Sequence, residues 1–276
     1  MTLHTGLSRL LLLCLVALTL SACGRFGKED PLETLPVDAL YADGKQALER
    51  GNAARAQRYF KRLIARFPFG PYTEQAQLEL AYTYLIGRQP EEATSAVNRF
   101  IRTYPTHPHI EYAYYLRGLI NFDRERTALS RIGGLDMTRR DQGAPRQAFD
   151  DFAELLQRYP NSRYSADARQ RMVYLRNQLA RYEINVATYY LQRRAYVGAL
   201  SRAEFILENY PQTEYIGDAL AVMAESYRQL GQTTLEADTR RVLELNHPNH
   251  AYFEGGWPRQ QAKWKQLIPF MGETRG

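Results

Sequence analysis

The sequence predicts an all-α protein: a solenoid of about five stacked helix pairs with one long helix near its centre. Three observations carry that prediction. Apolar residues recur at spacings of three and four, and nowhere in the alternation a strand requires. An aromatic–proline pair recurs at Phe67-Pro68, Tyr104-Pro105, Tyr159-Pro160 and Tyr210-Pro211, with a looser Asn246-His247-Pro248 at the end. A small residue, Ala56, Ala93, Ala148 or Ala199, stands 12 positions before each of the first four prolines.

Periods of about 34 residues closed by proline are the signature of tetratricopeptide repeats. Pro68 to Pro105 spans 37 positions, as does Pro211 to Pro248, and the two middle intervals are 55 and 51. The alanines suit the point where the two helices of a unit cross and approach closely. Phe60, Val97, Phe152 and Ala203 follow four positions later, on the same helical face.

Residues 1–22 read as a cleaved signal peptide: Arg9, an apolar run from Leu10 to Leu20, then small residues. That run is about half the roughly 20 apolar residues a membrane span needs. Leu20-Ser21-Ala22-Cys23 matches the bacterial lipobox, in which the cysteine thiol receives diacylglycerol and the freed amine is acylated. Two or three acyl chains make a stable anchor where one does not. The expected modification is therefore an N-acyl, S-diacylglycerol lipid on Cys23, and no other cofactor is called for. Cys14 leaves with the signal, so the mature chain has one blocked cysteine, no disulfide, and a stability that rests on packing. Gly24, not Asp, follows the cysteine, which in a Gram-negative host directs the protein to the outer membrane.

Residues 23–37 read as a lipidated, flexible tether, polar with two prolines. Five repeats then fill 38–248. Gly51-Asn52, Gly87-Arg88 and Gly231 break the chain between the helices of their units, and each closing proline ends the second helix because it lacks an amide proton. The third unit carries an insertion, Arg131 through Gly143, whose paired glycines predict a loop. The fourth opens with a long helix, about Ser162 to Gln192, with Met172, Leu175, Leu179, Tyr182, Val186 and Tyr189 on one stripe. In the fifth unit Glu236 and Arg240 replace the small and apolar residues, as in a loose or capping terminal repeat. Residues 249–276 predict a capping helix, with Trp257, Trp264 and Ile268 in an amphipathic pattern. A second partner contact is the other reading of that segment.

No nucleophile elbow, phosphate loop, dinucleotide fingerprint or zinc motif is present, and the sequence is not that of an enzyme. His107-Pro108-His109 and His247-Pro248-Asn249-His250 lack a second ligand cluster and read as loop histidines. Glu91-Glu92 and Asp150-Asp151 are placed at helix starts, where carboxylates suit the dipole. The formal net charge is +6 and loses only Arg9 with the signal. Export makes nucleic acid an unsuitable partner; arginine pairs such as Arg139-Arg140, Arg193-Arg194 and Arg240-Arg241 suit acidic protein partners instead.

Three blocks carry a further likeness. Arg66-Phe67-Pro68-Phe69-Gly70-Pro71-Tyr72 leads into Gln75, Gln77, Leu78, Leu80 and Tyr82. Phe100-Ile101-Arg102 precedes Pro105-Thr106-His107-Pro108 and Arg117-Gly118-Leu119, and Tyr159-Pro160-Asn161-Ser162 precedes Tyr164 and Asp167-Ala168. Together with the lipobox these resemble the BamD family of outer-membrane assembly lipoproteins, over roughly residues 20–245. The resemblance implies a five-repeat scaffold on the periplasmic face of the outer membrane. Its C-terminal repeats would bind a POTRA domain of the barrel protein BamA, and its N-terminal repeats other lipoproteins of the machinery and unfolded β-barrel substrates. By position, Arg193, Arg194 and Arg202 fall in the BamA-contacting region. Arg66, Phe67, Phe69 and Tyr72 fall on the substrate and accessory-lipoprotein side.

A repeat surface lined with aromatics suits extended peptides, because rings offer large contact area at low entropic cost. Phe67, Phe69, Tyr72, Tyr82 and Tyr84 are therefore expected to shape a shallow groove for a barrel-strand signal. By period, Tyr82 also shares the core face of Leu78, Ala81 and Leu85. The alternative class is another exported tetratricopeptide lipoprotein, one that presents substrates to a protease or coordinates a peptidoglycan enzyme.

Overall fold

The structure, a computed structural model, describes residues 31–131, 142–255 and 257–258. Among them are ten α-helices, a short 3-10 turn at Pro31–Glu33, and no strand. The helices form five successive pairs: α1 (Val37–Glu49) and α2 (Ala53–Arg66), α3 (Pro71–Ile86) and α4 (Pro90–Thr103), α5 (Ile110–Arg131) and α6 (Gly143–Arg158), α7 (Ser165–Gln192) and α8 (Tyr196–Asn209), α9 (Ile216–Gln229) and α10 (Thr233–Asn246). By contacts the chain divides into two compact units, Met1–Leu80 and Ala81–Gly276, and the division falls inside α3. No helix of the described residues is long and apolar enough to cross a membrane.

In the first unit α1 and α2 meet along Leu40, Gly44, Ala47, Ala56, Phe60 and Leu63. A Cβ at Gly44 would stand 2.7 Å from Cε1 of Phe60, so the ring fills the space a side chain would need. Gly51 turns the chain at φ +73°, and Asn52 then caps α2 by accepting the Arg55 amide at 3.0 Å. The expected flexible tether ends earlier than the sequence suggested. Leu32 is buried, Arg62 pairs with Glu33, and Arg66 Nη1 donates to the carbonyls of Leu32 and Leu35 at 2.7 Å each.

In the second unit the repeat geometry follows the spacing. Ala93, Ala148 and Ala199, with Val97, Phe152 and Ala203 four residues on, are fully buried, as Ala56 and Phe60 are in the first unit. Each second helix from α2 to α8 ends just before its proline, as an imino residue requires. α7 packs against α6, α8 and α9, and its 28 residues span about 42 Å at 1.5 Å per residue. Its buried face differs from the expected stripe. Leu175 and Leu179 are buried, but beyond them the face passes to Ala180, Glu183, Ile184, Ala187 and Leu191, while Tyr189 is exposed. Alternating steps of three and four average 3.5 residues, and a straight helix at 3.6 drifts off such a stripe.

Three further expectations are corrected. Asp151 is not at a helix start; it lies in the middle of α6, buried against Arg117 and Asn121. The loop of the third unit is narrower than Arg131 through Gly143, because Arg131 ends α5 and Gly143 begins α6; residues 132–141 lie outside the described residues. Trp257 does not begin a helix: residues 249–255 form turns, and Trp257 packs from an irregular segment against the α9 and α10 core. Trp264 and Ile268 lie outside the described residues, as do the signal region and Cys23.

Candidate functional site

The loop between α2 and α3 displays the aromatic-proline block. Phe67 ends α2, its amide donating to Leu63 and its carbonyl accepting from the Thr73 hydroxyl. Gly70, at φ +110°, turns the chain so that its carbonyl accepts the amides of Thr73 and Glu74 and α3 begins. The turn leaves Phe69 89% exposed, the most exposed large apolar side chain among the described residues. Tyr72 is also exposed and lies 5.5 Å from the ring of Tyr41, which in turn packs on Phe60. Burial, with Glu79 nearby, pushes the Tyr41 hydroxyl up to about 12. Lys45 and Glu79 pair at 3.0 Å on the same unit.

Arg66 behaves differently from its expected groove role. Its guanidinium is engaged by the two backbone carbonyls of the N-terminal segment and stacks 5.0 Å from the Phe67 ring. It clasps the chain entry to α2. Tyr82 and Tyr84 belong to the second unit, and both are half-buried. The five aromatics and Arg66 expected at the groove are thus separated by the structure into an exposed pair, Phe69 and Tyr72, and side chains with packing duties.

The arginines of the fourth repeat also divide. Arg193 caps α7, is exposed, and lies 5.4 Å over the Tyr189 ring. Arg194 takes a left-handed conformation at φ +61° in the α7–α8 turn, where the first and last units place Gly51 and Gly231 and the second places Arg88 at φ +57°. Val197 follows at the surface. Arg202 instead faces inward: Nη1 lies 3.0 Å from Oε2 of Glu183, whose Oε1 accepts from Arg146 Nη2 at 2.9 Å. Glu183 is fully buried, and both arginine side chains remain near half exposed. A buried carboxylate demands such partners, and one negative charge between two positive ones leaves a net positive surface there. The sequence reading missed Arg146 and Glu183; an acid on the buried face of a helix at 3.6 periodicity was the signal available.

Two more polar clusters lock α5 to its neighbours. Arg117 pairs with Asp151, Nε to Oδ1 at 2.9 Å, and with Glu154. Burial holds the Asp151 carboxyl above the usual range despite Arg117 and Asn121. Tyr115 donates to Asp167 at 2.5 Å, Arg171 pairs with the same carboxylate, and Tyr115 stacks on Tyr164 at 4.7 Å. The histidines have local tasks. His107 Nδ1 accepts the His109 amide and its ring packs on Phe100, while His250 meets Asp218 at 3.2 Å. Among the described residues no group of three His, Cys, Asp or Glu side chains is placed to hold a metal.

A family profile described as "YfiO: Outer membrane lipoprotein" matches residues 33–243. A relative from Xylella fastidiosa, named outer membrane protein assembly factor BamD, is 47% identical over 269 residues, 98% of this chain and 91% of that one. Proteins of the same name from Neisseria meningitidis and Vibrio cholerae are 38% and 36% identical, covering 94% and 79% of this chain and 98% and 90% of their own. Likeness to solved structures is loose: a MamA protein superposes with a TM-score of 0.33 at 15% identity, over 82% of this chain and 96% of that one. The fold therefore stands on the helix pairs themselves, and the family on the sequence relatives. The chain belongs to the BamD family of outer-membrane protein assembly factors, within the outer membrane lipoproteins.

Proposed function

We propose that the protein is a non-enzymatic scaffold of β-barrel assembly, held at the periplasmic face of the outer membrane by a lipid on Cys23. In this reading its C-terminal repeats engage the POTRA region of BamA, and its N-terminal repeats receive other lipoproteins of the machinery and the signals of unfolded barrels. The family membership supports the assembly role, and the lipobox supports the anchor. Arg193 and Arg194, exposed on a turn, supply free positive charge for an acidic partner surface; Arg202 supplies it while holding Glu183.

The observation that carries the substrate side is Phe69, an aromatic ring left 89% exposed beside Tyr72 on a loop fixed by backbone hydrogen bonds. Exposed rings on a rigid support bind extended apolar peptides at small entropic cost. Photo-crosslinking to a peptide bearing a barrel-strand signal tests it. Phe69→Ala and Tyr72→Ala should each lower the crosslink yield several-fold while the melting temperature stays unchanged. An unchanged yield, or a loss that merely follows a fall in melting temperature, would remove both residues from the substrate surface.

A further inference from the structure

The last helix is under-packed. α2, α4, α6 and α8 each bury at least three side chains, whereas α10 buries Leu243 alone. Leu235, Val242 and Leu245 follow at i, i+7 and i+10, which sets them on one face of α10, at 47, 42 and 76% exposure. That face differs from the one already covered. Beyond α10 the chain turns back so that Tyr252, Phe253 and Trp257 pack against Leu220, Ala221 and Leu243, with Arg240 over the Phe253 ring. Arg240, Tyr252, Phe253 and Trp257, with Glu225, Arg228 and Gly255, line an open cleft of about 290 Å³.

We propose that residues 259–276 of this chain dock on the outer face of α10 and complete the terminal repeat. The segment leaves from Pro258, beside Trp257, which already rests against this end of the unit. It is 18 residues long, and the 14 residues of α10 measure about 21 Å, so it can cover the helix even if it is not fully extended. Trp264, Leu267 and Ile268 stand at i, i+3 and i+4, a cluster matched in size to the three exposed side chains. Charge agrees: the segment carries Arg259, Lys263, Lys265 and Arg275 against Glu273, while α10 carries Glu236, Asp238 and Glu244 against Arg240 and Arg241. Attachment a few residues away gives this segment an effective concentration in the millimolar range, ahead of any free partner or second copy. Terminal repeats with an apolar outer face need such a cover for solubility.

Hydrogen exchange on the purified lipidated chain in detergent decides it, with the same chain ending at Pro258 and the full-length Leu235→Ser/Leu245→Ser variant alongside. Docking predicts that both changes speed exchange across α10 about tenfold or more, while α5 to α7 keep their protection. Should the truncated chain fail to fold, the double serine variant carries the test, since both altered side chains are exposed. Slow exchange of α10 that survives in the variant overturns the proposal. So does protection that appears only as protein concentration rises, which would put a second copy on this face. Absence of extra protection in the purified full chain also overturns it, leaving the face to an outside partner.

Discussion

At Gly118 a Cβ would lie 2.5 Å from Cε1 of Phe152, which fills the crossing between α5 and α6. Gly118→Ala should therefore cost about 1–3 kcal/mol through overpacking, read as a lower denaturation midpoint at constant slope. An unchanged midpoint would mean that the helices can part without penalty. Arg194 presents the reverse case. Its left-handed backbone is strained for a side chain, so Arg194→Gly should stabilise the fold by about 1 kcal/mol, and a measured loss would contradict the strain. This turn was not legible in the sequence, because glycine was the signal used for the other turns and here, as at Arg88, the left-handed residue is an arginine. The buried pairs Ala56 and Phe60, Ala93 and Val97, Ala148 and Phe152, and Ala199 and Ala203 were legible. They obey a fixed distance from a proline that ends the helix, and both constraints are local to the chain.

Ion pairs decide how neighbouring elements hold. Glu183 ties α7 to α6 through Arg146 and to α8 through Arg202. Glu183→Ala removes the shared acid from the buried site and leaves two half-exposed arginines facing each other, so it should cost about 1.5–3 kcal/mol in chemical denaturation. Arg146→Ala should cost less, because Arg202 remains. Equal losses would show that the two arginines do not share the load. The carboxylates around α5 oppose one another in acid. Burial acts upward on Asp167, yet Arg171 and Tyr115 outweigh it and hold the carboxyl below its ordinary value. Such a group stabilises the fold above its unfolded pKa, near 3.9, and the contribution fades as pH falls through the lower folded value. Asp151, held high by burial, opposes folding at neutral pH, and protonation relieves it. Asp167→Asn should thus lower the melting temperature near pH 7 and lower it less as pH falls below the unfolded value; an equal loss throughout would show that charge is not the cause.

Neither pairing of Glu183 could be read from spacing, since Arg202 and Arg146 lie 19 and 37 positions away and many other Arg–Glu combinations were equally available. The clasp of Arg66 on Leu32 and Leu35 was hidden for the same reason, and it moves a residue from the peptide surface into the fold. Trp257 was misread because a helical period was carried across Pro258, where a helix interior cannot continue.

For the whole molecule, repeat number, helix order and family were all legible, because a solenoid writes each unit into the chain as a separate, self-similar stretch. The partner surfaces were legible only as residue types. The structure separates Phe69, Tyr72, Arg193 and Arg194, which face solvent, from Arg66 and Arg202, which hold other parts of the chain. A substitution at Arg202 therefore mixes partner loss with damage to the Glu183 site, and the exposed pair makes the cleaner probe. The most direct measurement is an affinity pulldown of the lipidated protein from detergent-solubilised outer membrane, beside an Arg193→Glu/Arg194→Glu variant with an unchanged melting temperature. A POTRA-containing barrel protein should accompany the parent and be lost or reduced with the variant. Recovery of a protease or peptidoglycan enzyme in its place, with no barrel protein, would contradict the proposed scaffold role.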